Sequence, residues 1–103
     1  MDSKLYGRIM IEIPHNDCGD ADRIALEYHI LRNKEETEGK TIYGGRVDEL
    51  DPDSNKILLS RSVKTVTPCK SEIESFIHSM LINSVSALHF QEIAKDYIEE
   101  NFG

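Results

Sequence analysis

The chain has 103 residues and a net charge of −7, with 39% hydrophobic and 30% charged residues. One domain of this size buries roughly two-thirds of its unfolded surface without needing disulfides or a metal. The acidic balance argues against non-specific binding to nucleic acid or anionic lipid, whose phosphates would repel it.

No apolar run is long enough to span a bilayer. The N-terminus also lacks the basic-then-apolar layout of a signal peptide, so the expectation is a cytoplasmic protein with no membrane partner. Cys18 and Cys69 lie far apart and form no C-x-x-C pair. In a reducing compartment they read as two free thiols.

Leu5–Ile13 alternates, with Leu5, Gly7, Ile9, Ile11 and Ile13 on one side and Tyr6, Arg8, Met10 and Glu12 on the other. Period two predicts a strand, stopped by Pro14, which has no N–H for a ladder. His15–Asp22 is polar and reads as a loop. Ile24–Arg32 is a second strand, with Ile24, Leu26, Tyr28 and Ile30 on one face. Charged Asn33–Lys40, containing Gly39, is a hairpin loop. Thr41–Leu50 is a third strand, interrupted by Gly44-Gly45, a pair that marks a bulge, a bend or a close approach by another backbone. Asp51–Asn55 is a turn by composition. Lys56–Val66 is the fourth strand.

Ser71–Phe102 reads as two amphipathic helices. Ser71 and Glu74 have the spacing of a capping box. Ile73, Phe76, Ile77, Met80 and Leu81 then form one stripe, and Asn83 and Ser84 close the helix. Ser86 offers a second N-cap. Phe90, Ile93, Ala94, Tyr97 and Ile98 repeat the periodicity. A turn this short folds the two helices back on each other.

The order β-β-β-β-α-α therefore predicts an α+β fold. A four-stranded antiparallel sheet carries the C-terminal helical hairpin on one face. The other face would display Arg8, Glu12, Glu27, His29, Arg46 and Asp48, with either parity of the glycine-broken third strand open.

Four places in the chain hold candidate sites. His15, Asp17, Cys18, Asp20 and Asp22 are potential ligands, but their spacing fits neither a calcium loop nor a zinc motif, and a solvated loop uses the same residues. Cys69 precedes a helix, where the dipole lowers a thiol pKa, yet nothing places His29, His78 or His89 beside it. Gly44-Gly45 belongs to no phosphate-binding pattern. Ser54–Ser71 holds Lys56, Arg61, Lys64 and Lys70 and no acid. Arg61, Lys64 and Lys70 are thus the candidate partner surface, set against the plainer reading of a solvated strand face.

Tyr28-His29-Ile30-Leu31, Tyr43-Gly44-Gly45 and Val85…Leu88-His89…Asp96-Tyr97-Ile98 give the chain a likeness over residues 25–100. In these motifs it resembles a small uncharacterised family, a domain of unknown function of about this length from clostridia-like Gram-positive bacteria. Ala87 departs from the proline expected of that family at the helix start, and Gly45 from a β-branched residue. The resemblance implies a bacterial cytosolic protein and transfers no catalytic residue.

With no cofactor, metal site or catalytic set expected, the first functional expectation is a non-enzymatic domain binding another protein. It would use the exposed sheet face or the helical hairpin, and a homodimer is a further possibility. The rivals are a small metal-binding or thiol-dependent enzyme and a nucleic-acid-associated regulator.

Overall fold

The computed structural model of the chain describes residues 2–14, 21–34 and 39–102. Four strands, β1 (Asp2–Pro14), β2 (Ala21–Lys34), β3 (Thr41–Leu50) and β4 (Ile57–Thr67), form one antiparallel sheet in sequential order. Two helices follow, α1 (Lys70–Ile82) and α2 (Ala87–Phe102), and they cover one face of the sheet. This is the α+β arrangement that the periodicities predict. No helix among the described residues is long and apolar enough to cross a membrane.

The core lies between the sheet and the helices. Leu26, Tyr28, Val47 and Val66 meet Ile73, Phe76, Ile77 and Met80 of α1 and Ala87, Phe90 and Ala94 of α2. Gly45 is what lets the helices come down. A Cβ there would stand 2.6 Å from Ile77 Cδ1 and 2.9 Å from Phe90 Cζ. Tyr28 is fully buried, and its hydroxyl donates to the Val85 carbonyl at 2.8 Å, tying the helix–helix connection to the sheet. Burial, with the Glu49 carboxylate second, pushes this phenol up to about 12.

Two irregularities reshape the sheet. The β1–β2 register shifts between Leu5 and Gly7. Strict alternation would keep Leu5 with Ile9 and Ile11, but Leu5 pairs with His29 on the uncovered face. Tyr6 reaches the helical side, where its hydroxyl meets His78 Nδ1 at 3.1 Å. A bulge takes one residue out of register, so every side chain beyond it changes face. The second irregularity lies in β4, which inserts extra residues opposite Gly44: Gly45 pairs with Val63, but Tyr43 pairs with Thr67. The β4 backbone passes so close that a Cβ on Gly44 would run into the carbonyl oxygens of Val63 and Lys64. Of the roles open to paired glycines, Gly44 serves a close backbone approach and Gly45 makes room for side chains.

The helix ends differ in detail from the sequence reading. α1 starts at Lys70 with Cys69 as N-cap, so Ser71 lies inside the first turn and no capping box forms. Glu72, not Glu74, is tied back, accepting from Thr67 Oγ1 at 2.8 Å, and the same oxygen accepts from the Cys69 N–H. At the other end Asn83 keeps φ −96°, and Ser84 takes the left-handed conformation at φ 52°. The Ser84 N–H donates to Leu81 and the Val85 N–H to Met80, the paired bonds of a Schellman motif.

A candidate polar interface on the open sheet face

The face away from the helices is organised by register. Arg8 of β1 stands opposite Glu27 of β2, Glu27 opposite Asp48 of β3, and Asp48 opposite Ser60 of β4. One row of polar residues therefore crosses all four strands, at the roughly 5 Å spacing of cross-strand neighbours. The next row contributes Leu5, His29, Arg46 and Ser62. This is the face on which alternation places Arg8, Glu27, His29, Arg46 and Asp48.

The contacts are specific. Arg8 Nη1 lies 3.3 Å from Glu27 Oε2, and its Nη2 donates to Asn55 Oδ1 at 3.1 Å, binding the β3–β4 turn to the row. Ser60 donates to Asp48 Oδ1 at 2.5 Å, while Arg46 Nε lies 3.2 Å from Asp48 Oδ2. His29 Nε2 sits between the two carboxylates, 3.5 Å from Glu27 Oε1 and 3.4 Å from Asp48 Oδ2. These are longer than good hydrogen bonds. His29 Nε2 and Arg46 Nε are both buried without a hydrogen-bond partner of good geometry. Asp48 is only 2% exposed, although no helix covers it.

The chemistry this set can perform is limited by the order of its contacts. Serine, histidine and aspartate are all present, but the carboxylate is in the middle. Ser60 gives its hydrogen to Asp48, so the imidazole is not placed to take that proton, as nucleophile activation requires. Glu27, His29 and Asp48 bring three ligand atoms within 4.8 Å of one another. Arg8 and Arg46, however, already balance the two carboxylates. A divalent cation would meet a set that is neutral before it arrives, with little Coulomb attraction to offset its dehydration.

His29 is held below its usual 6.5 by burial first and the Arg46 guanidinium second, against the pull of Asp48 and Glu27. The unfolded chain then binds more protons than the folded one between the lowered value and 6.5, so stability rises with pH across that window. Stability is expected to fall as the pH drops through about 6.5, and His29→Gln should remove that component. Thermal unfolding of both proteins from about pH 7.5 down to 5 checks it: the advantage of wild type over the variant should shrink on acidification. A constant difference would show that His29 does not titrate in this way.

Arg61, Lys64 and Lys70 do not form one strip. Arg61 pairs with core-facing Val47, whereas Lys64 lies where β4 loses its register with β3, between Val63 and Thr67. Lys70 is in the first turn of α1, where it lines a hollow of about 570 Å³ with Lys4, Arg32, Tyr6 and Tyr43. The three basic residues thus span β4 and the first turn of α1.

Cys69 is an exposed free thiol, its pKa lowered by the Ser71 hydroxyl first and the Glu72 backbone N–H second. His78 is engaged by Tyr6, and His89 is exposed in the first turn of α2. The ligand set His15, Asp17, Cys18 and Asp20 lies outside the described residues, and Asp22 belongs to β2.

Residues 8–100 match a family of unknown function, DUF6514, and the chain belongs to that family. No curated protein and no solved structure matches it.

Proposed function

We propose that this member of a family of unknown function is a non-enzymatic protein-interaction domain that docks a partner protein on the open face of its sheet. The observation that carries the reading is the Arg8–Glu27–Asp48–Ser60 row with His29 and Arg46 beside it. It is a fixed polar centre on a face that no helix covers. Around it stand Leu5, Met10 and Ile57, which are 49%, 52% and 54% exposed and share that face by register. Anchored charges give an interface its register, and exposed apolar side chains beside them give it area to bury. The two arginines neutralise the two carboxylates, which favours a partner surface of mixed polarity over a nucleic-acid backbone.

The test is affinity capture from host lysate with wild type and with Met10→Glu/Ile57→Glu. Both positions are half exposed, so the fold should survive. A stoichiometric partner protein retained by wild type and lost by the double variant is expected. A partner retained equally by both would move the site off this face.

A further inference from the structure

A second surface, independent of the open face, lies on the helical layer. The connection between α1 and α2 brings Phe76 into ring contact with Tyr97 at 4.6 Å and with Phe90 at 6.3 Å. Above these contacts the two helices leave a groove of about 570 Å³. Half-buried Ile93 and Tyr97 supply its apolar floor, over the edges of Phe76 and Met80, which are each only 5% exposed. The α1 wall carries Ser71, Ser75 and Ser79 at four-residue intervals, and the α2 wall carries Asp96 and Glu100.

Each charged side chain lining the groove is an acid: Glu72, Asp96 and Glu100. Asp96 and Glu100 are one helical turn apart, about 6 Å along the axis. The serine wall is low, so a third helix could approach α1 closely. An apolar floor between a low wall and an acidic one suits an amphipathic helix with apolar residues inward and two basic residues one turn apart. We propose that the α1–α2 groove docks a basic amphipathic helix of another protein. From Ser71 to Ser79 the groove runs about 12 Å, enough for about two turns of such a helix.

A second copy of the chain does not fit the requirement. α1 contains one lysine, Lys70, and α2 one lysine, Lys95, and neither helix contains arginine. Neither can therefore present two long cations one turn apart.

The test uses a synthetic leucine–lysine amphipathic helix and backbone amide chemical-shift mapping of the full chain. Shifts confined to residues 71–80 and 93–100 are expected. Asp96→Lys/Glu100→Lys should weaken binding roughly tenfold, the effect of two reversed charge pairs at an interface rim. Glu92→Lys/Glu99→Lys makes the same net-charge change outside the groove and should leave affinity within about twofold. All four positions are exposed, and a melting curve confirms that each variant is folded. Equal weakening by the two pairs, shifts on the sheet face, or no binding at about 1 mM peptide would overturn the proposal.

Discussion

Replacing Gly44 with alanine is expected to destabilise the domain by roughly 2–3 kcal/mol, although the added group is a single methyl. The methyl would enter the space held by the Val63 and Lys64 carbonyls, which belong to the β4 backbone and cannot rotate away as a side chain could. Relief requires β4 to move off β3. That would disturb the bulge after Val63 and the Asn33 Nδ2 bond to the Lys64 carbonyl at 2.8 Å. At about 4–8 °C per kcal/mol for a domain of this size, the melting temperature should fall by at least 8 °C or so. A fall of a degree or two would mean that β4 accommodates the methyl, and that the close approach is not what requires glycine there.

The largest effect is expected for Phe90→Ala, about 3–5 kcal/mol, because Phe90 is fully buried where α2 meets α1 and the sheet. The cavity it leaves has a specific neighbour. Gly45 faces Phe90 Cζ and Ile77 Cδ1, so Gly45→Ala crowds a full core but partly fills an emptied one. Gly45→Ala should thus be destabilising alone and nearly neutral, or stabilising, in the Phe90→Ala background. Denaturant unfolding of the four proteins of this cycle measures the coupling, expected at 0.5 kcal/mol or more. Additive effects would show that the two positions do not share the space.

The same glycines show how far a sequence can be read. Two glycines in a strand announce a special backbone position, but only the paired geometry separates their roles: Gly44 under β4, Gly45 under Phe90. Strand and helix identities were legible because period two and the i, i+3, i+4 stripes are strong over ten residues or more. Alternation alone places Glu27 and His29 together, and Arg46 and Asp48 together, but which side of the glycine-broken third strand turns inward follows only from its pairing with β2. The convergence of these four residues was not legible, since it depends on Glu27 pairing with Asp48 and His29 with Arg46, and register is a property of two strands at once.

The errors have equally local causes. Leu5 departs from strict alternation because one unpaired residue in β1 inverts all that precedes it. Ser71 looked like an N-cap because Ser-x-x-Glu is the usual signature. In the fold Thr67 binds both the Cys69 N–H and the Glu72 carboxylate and starts the helix earlier. The α1–α2 groove was beyond a single-helix reading, which sees each apolar stripe but not the gap left where Phe76 meets Tyr97.

The open face is the centre of the functional account, and amide hydrogen exchange of the domain with and without its captured partner tests it most directly. Slowed exchange is expected in residues 8–10, 27–29, 46–48 and 57–60, the strand segments that carry the polar row and its apolar border. Slowed exchange confined to the two helices, with those four segments unchanged, would contradict it.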